Sequence, residues 1–190
     1  MKLLVIGLLA LITASGCTSQ DQAPSEQLGT VQRPAATPAS RRTYWPVDSA
    51  VDRRNTSLPG PERYRVQVVT TCLNDSAVVN PIVEDSGPAQ DVSHNYQSEL
   101  FVFRGNKPWL HQRLTKGLFV GHPVAKQLGA VQEWALSRTT FLAHRQGQFL
   151  FSTRLGIPDS DIFVEAEVAV SPTQGLRIVS VRQPVEQLEK

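Results

Sequence analysis

The sequence predicts an all-β domain, an antiparallel β-sandwich or small open barrel of about seven to eight strands, preceded by a signal peptide and a flexible tether. Three observations predict it. From Glu62 onward, apolar and polar residues alternate with the period of two that puts one face of a strand inward. The alternating runs are separated by short segments rich in Gly, Pro, Asn, Asp and Ser. No stretch beyond residue 17 carries a helical apolar period long enough to build a core, so a doubly wound scaffold would lack its crossovers. The composition agrees, since 190 residues with 41% hydrophobic and 19% charged side chains belong to the globular class.

Lys2 and the uncharged run Leu3 to Ile12 open the chain; the run is too short for a permanent membrane span and has the length of a signal h-region. Thr13-Ala14-Ser15-Gly16-Cys17 resembles the lipobox of bacterial lipoproteins, with Ala14 where that motif usually carries Leu. The resemblance implies cleavage before Cys17 and acylation of its thiol. Residues 1–16 therefore read as a lipoprotein signal peptide and Cys17 as the site of lipid attachment. The 19 basic and 17 acidic residues nearly balance, so no basic field gathers nucleic acid and no polybasic patch holds anionic lipid. The lipid bilayer, as partner, is reached through palmitate-type chains on Cys17, each buried methylene contributing about 0.8 kcal/mol. Acylation of Cys17 leaves Cys72 as the one remaining thiol of two, so stability must come from a packed core and not from an internal disulfide.

Residues 17–61 read as the lipidated Cys and a Pro/Ser/Thr-rich tether: Pro24, Pro34, Pro38, Pro46, Pro59 and Pro61 interrupt a stretch with no sustained apolar period. Tyr44-Trp45-Pro46-Val47 is its only aromatic cluster, and it reads as a strap that lies on the domain.

Residues 62–190 form the single β domain. Tyr64, Val66, Val68, Thr70 and Cys72 share one face of the first strand, and Leu73-Asn74-Asp75-Ser76 is a turn. Ala77 to Val83 follows as a strand that Pro81 confines to an edge or a bulge. Glu99 to Arg104 and Pro108 to Leu114 make a hairpin around Gly105-Asn106-Lys107, with Pro108 again at an edge or first position. Pro123 to Leu128 predicts one or two helical turns stopped by Gly129. Ala130 to His144, Gln148 to Leu155, Asp161 to Val170 and Leu176 to Gln183 are strands. The first of these is long for one strand, which suggests a bend or a bulge near Leu136 to Arg138.

The lipobox, the tether, Tyr64 to Cys72, Leu73-Asn74-Asp75-Ser76, Ser93-His94-Asn95-Tyr96 and the Gly105-Asn106-Lys107 hairpin together resemble a family of small cell-envelope lipoproteins of Bacteroidota, over about residues 60 to 183. The resemblance implies a periplasmic or surface β domain with no catalytic residues to carry over. Thr18 resembles the residue after the Cys in outer-membrane-sorted lipoproteins, and Thr18-Ser19-Gln20-Asp21 lacks an acidic surface-export signal. The implied location is the outer membrane, facing the periplasm.

Candidate chemistry is sparse. His94, His111, His122 and His144 are not spaced as metal ligands, and no cofactor is expected. Asp161, Glu165 and Glu167 share a strand face near Asp159 and are the weak metal candidates. Neighbouring same-face positions about 7 Å apart would also suit an inverting carboxylate pair. A solvated face with Glu paired to Arg154 or Arg177 explains them more simply. Trp109 and His111 read as facing away from Leu110 and Leu114, while Phe101 and Phe103 oppose Leu100 and Val102; with Tyr44 and Trp45 they form the candidate binding surface. Trp134 is expected on one face with Leu136, Arg138 and Leu142.

A tethered β domain without convergent titratable groups fits an envelope binding or structural role, its partner an envelope protein or glycan. The alternative is an envelope hydrolase acting on glycan or peptide, carried by a carboxylate or His-acid cluster around Glu165 or His94 beneath a pocket.

Overall fold

The chain forms eleven strands: β1 (Arg41–Tyr44), β2 (Val51–Ser57), β3 (Tyr64–Cys72), β4 (Val78–Glu84), β5 (Gly87–Ser93), β6 (Tyr96–Arg104), β7 (Lys107–Thr115), β8 (Ala135–Arg145), β9 (Gln148–Gly156), β10 (Phe163–Ser171) and β11 (Gly175–Arg182). The structure, a computed structural model, describes residues 40–183. The signal peptide read at 1–16, Cys17 and the tether up to residue 39 lie outside the described residues.

The fold is all-β and its sheets are open. Two sheets have four strands, in the orders β2-β3-β6-β7 and β11-β10-β9-β8, and a third has the order β1-β5-β4. Eleven strands replace the expected seven or eight because β1, β2 and the β5 return strand carry little apolar alternation. β2 is exposed at all but one position. Its order comes from backbone pairing with β3, from Val51 opposite Thr71 to Ser57 opposite Arg65, which leaves no hydrophobic signature. Strand structure thus begins inside the stretch read as tether. β1 pairs with β5 in parallel, the one departure from antiparallel order among the described residues.

Both prolines fall where a missing N–H does no harm: Pro81 on β4 and Pro108 on β7 lie in edge strands. β6 turns into β7 through Gly105-Asn106, with Gly105 in the left-handed region at φ 60°.

One core is filled from both four-stranded sheets. Val66, Val68, Leu100, Val102 and Leu114 of the first pack with Leu136, Phe149, Phe151, Leu155, Val164 and Val168 of the second. Each such side chain contributes roughly 1.5–3 kcal/mol by leaving water. The segment between β7 and β8 plugs the core with Phe119, Leu128 and Trp134, through three short 3-10 turns. Lys116 pins it, its Nζ donating to the carbonyls of Val131 and Trp134 at 2.9 Å each. Burial pushes the Lys116 ammonium below its ordinary value.

A file of buried hydroxyls crosses this core. Thr70 Oγ1 and Ser98 Oγ lie 2.9 Å apart, Ser98 Oγ donates to Thr139 Oγ1 at 2.8 Å, and Thr139 and Thr153 meet at 3.0 Å. β3, β6, β8 and β9 each supply one member, so the file ties the two sheets at a fixed level.

β8 bulges where its length demands. Leu136 faces Leu155 and Thr139 faces Thr153, so Ser137 and Arg138 together oppose Arg154; a second shift falls between Phe141 and Ala143. The bulges turn Arg138 and Leu142 outward while Trp134 and Leu136 stay buried, which splits the face expected to hold all four.

Candidate functional site

Three cavities that share lining residues form one continuous concave surface. The first, about 370 Å³, is lined by Trp45, Val47, Asp48, Ser93, His94 and Pro158, among others. The second, about 300 Å³, shares Trp45, Tyr96 and Pro158 with it and adds Leu136, Ile157 and Phe163. The third, also about 300 Å³, shares Ser137 and Arg154 with the second and adds Arg54, Arg138, Thr140 and Glu165. Together they make a groove that changes from aromatic and apolar to cationic along its length.

The strap builds the first wall. Trp45 continues β1 onto β5, its N–H donating to Val92 O at 2.9 Å and its Nε1 to Asp91 Oδ2 at 2.6 Å. Beyond Pro46 and Val47, Asp48 exchanges two bonds of 2.9 Å with Asn74: its N–H donates to Asn74 Oδ1, and its carbonyl accepts from Asn74 Nδ2. Tyr96 donates its hydroxyl to Asp48 Oδ2 at 3.1 Å. Burial first, and then the bond to Asp48, push the Tyr96 phenol up to about 12, so it is protonated at neutral pH. The strap docks here, on β5, and does not cover Phe101 and Phe103.

Behind it lies a polar cluster. Burial raises the Asp75 carboxyl, but the bonds it accepts from Asn95 N–H, Asn95 Nδ2 and Ala77 N–H outweigh burial and hold it below its ordinary value. His94, 7% exposed, accepts the Ser76 N–H at Nδ1, which places the proton of its neutral form on Nε2. Neither His94 Nε2 nor Ser93 Oγ has a hydrogen-bond partner among the described residues. His94 therefore forms no base–nucleophile pair with Ser93 or Tyr96 and no pair with Asp48, although all four line one cavity.

The cationic half stands on outward positions of the β8–β11 sheet. Ser152 and Arg154 alternate with buried Phe151, Thr153 and Leu155 on β9, and Glu165 alternates with buried Val164 and Ala166 on β10. The bulge brings Arg138 beside them, and Arg54 arrives from β2. Arg154 lies 3.8 Å over the Phe163 ring and 4.0 Å from Glu165, and so marks the junction of the two halves. Arg54 is paired with Asp52 at 2.9 Å, whereas Arg138 has no ion pair or hydrogen bond among the described residues.

The remaining sequence candidates fall into separate places. Phe101 stacks on His111 with ring centres 4.4 Å apart, Phe103 carries Arg65 at 3.9 Å, and Glu99 holds His111 and Arg113, with Arg113 Nε at 2.7 Å. This is an outer-face cluster. Trp109 does not join it: β7 shifts register between Leu110 and Pro108, and the bulged indole stacks on core-side Tyr64 at 5.3 Å. Tyr44 is 59% exposed. Asp159 and Asp161 lie in the exposed β9–β10 loop, apart from half-buried Glu165 and Glu167 on β10, and no group of three or more His, Cys, Asp or Glu able to hold a metal occurs among the described residues.

Sequence reasoning finds Trp45 and the β8 bulge but misses Arg54, Arg138 and Arg154 as a set. The bulge is the signal that points to Arg138; the tether-like surroundings of Arg54 offer none. No family model and no curated protein matches the chain.

Proposed function

We propose that the chain is an envelope lipoprotein, anchored through acylated Cys17 to the outer membrane and facing the periplasm, whose β domain binds a ligand along the Trp45–Arg138 groove. We read the two four-stranded sheets as the layers of a β-sandwich, supported by their common core and the hydroxyl file across it. The observation that carries the binding reading is the run of three cavities sharing Trp45, Tyr96, Pro158, Ser137 and Arg154. His94 and Glu165 each border a cavity without an acid–base partner poised for proton transfer, which favours binding over hydrolysis. The lipobox residues and the resemblance to Bacteroidota envelope lipoproteins support the location.

Two measurements test this. Cys17→Ser should move the protein from the membrane fraction to the soluble envelope fraction; a normally processed mutant still held at the membrane counts against the anchor. Native mass spectrometry of the chain extracted gently from its own membrane should show a bound small molecule that Trp45→Ala loses. An adduct indifferent to Trp45 would place the binding elsewhere.

A further inference from the structure

We infer that the groove takes an amphiphile with a phosphoryl head, the head held by Arg138, Arg154 and Arg54 and the apolar body lying against Trp45, Ile157 and Phe163. This rests on the reading of the groove as a binding site and names the class of ligand it accepts.

The third cavity gathers three guanidinium groups and one carboxylate, Glu165, in about 300 Å³. Asp52 partly neutralises Arg54, and Glu165 stands only loosely against Arg154 at 4.0 Å. Arg138 is unpaired among the described residues, so a net cationic site faces the groove. The bulge is what puts it there, since a regular β8 would pair one residue, not two, against Arg154. The Thr140 and Ser152 hydroxyls line the same cavity and make no side-chain hydrogen bond among the described residues. Forked guanidinium donors together with hydroxyls outnumber what the two oxygens of a carboxylate accept and match the three terminal oxygens of a phosphoryl group.

The second cavity supplies the other half. Its lining includes Trp45, Leu136, Ile157, Pro158 and Phe163, and the passage between the halves is Arg154, whose guanidinium lies over the Phe163 ring and which lines both cavities. A neutral ligand would leave Arg138 without a counter-charge among the described residues, and a bare anion would leave the aromatic wall unused.

The test uses the full lipidated chain in nanodiscs of digalactosyl diacylglycerol, a lipid without phosphorus, with empty nanodiscs subtracted, and three probes: hexyl phosphate, hexyl glucoside and inorganic phosphate. Calorimetric titration should show hexyl phosphate binding about tenfold tighter than either of the others, as expected for charge-assisted hydrogen bonds. Arg138→Gln should remove that preference, weakening hexyl phosphate far more than hexyl glucoside. Glu165→Gln should tighten hexyl phosphate several-fold, an increase that misfolding cannot produce. Equal affinity for hexyl phosphate and hexyl glucoside would overturn the inferred head group while the groove remained a binding site. Inorganic phosphate binding as tightly as hexyl phosphate would overturn the apolar body and identify a site for free oxyanions. Failure of both hexyl compounds to bind would overturn the groove reading itself.

Discussion

The two four-stranded sheets reach the same architecture by different routes. In β8–β11 every strand pairs with its neighbour in sequence, through connections no longer than the β9–β10 loop, and its inward positions include the large apolar Leu136, Phe149, Phe151 and Leu155, with Thr139 and Thr153 as polar exceptions. In β2-β3-β6-β7 the chain leaves after β3, builds the β4–β5 hairpin and returns, and its first strand buries almost nothing. Local pairing backed by apolar burial holds the first sheet; backbone pairing and polar bonds hold much of the second. The groove draws on both, taking Arg154 from a strand fixed by its neighbours and Arg54 from one held by its ladder and by the bond Asn55 accepts from Gln67 Nε2 at 3.0 Å.

The largest effect should separate the sheets directly. Phe151 on β9 is fully buried and meets Phe141 edge-on at 5.6 Å, so Phe151→Ala should destabilise by about 3–5 kcal/mol. Phe103→Ala, on the half-exposed outer face of β6, should cost roughly 1 kcal/mol or less because solvent and Arg65 fill the space. Denaturant midpoints measure both. Similar losses would mean that the outer face of β6 is packed against something further, and the contrast between the sheets would fail.

A smaller effect tests the tie between them. Thr139→Val keeps the shape of the side chain but takes a hydroxyl from the middle of the file, leaving Ser98 and Thr153 each short of a partner. Stability should fall by about 1–3 kcal/mol, and adding Ser98→Ala should cost less than the sum of the single changes. Strict additivity would show that the hydroxyls act as separate pairs.

The same contrast explains which parts of the fold are legible in the sequence. The β8–β11 strands, the turns between them and the bulge at Ser137–Arg138 are written in apolar alternation and turn chemistry, except that the strand expected from Ala130 begins at Ala135, after a 3-10 turn over Val131–Glu133; the edge positions of Pro81 and Pro108 follow from a missing N–H. β1 and β2 are not, because a strand ordered by its ladder needs no particular side chains. Alternation alone puts Trp109 on the wrong face, because a single bulge reverses it and no local residue marks that bulge. The site is half legible for a related reason. Trp45 stands out against a polar tether, but the convergence of Arg54, Arg138 and Arg154 depends on non-local register, which a one-dimensional pattern does not carry.

The smallest expected effect concerns acid, and it should map to the β2-β3-β6-β7 side alone. Burial raises the Glu99 carboxyl, but its bonds to His111 and Arg113 outweigh this and leave it below its ordinary 4.5; Asp75, in the loop after β3, is held below 3.8 by the donors of Asn95 and Ala77. Both native carboxyls therefore bind protons less readily than in the unfolded chain. Their contribution is fully present above those ordinary values and is lost as pH falls through the lower native ones. Stability should accordingly decline from about pH 4.5 downward, and Glu99→Gln with Asp75→Asn should flatten that decline while lowering stability at neutral pH. Salt separates the two: His111 and Arg113 are more than half exposed, so 0.5 M salt should remove most of the Glu99 share, whereas the amide donors around Asp75 are barely screened. An acid decline that persists unchanged in the double variant would show that neither Glu99 nor Asp75 carries it.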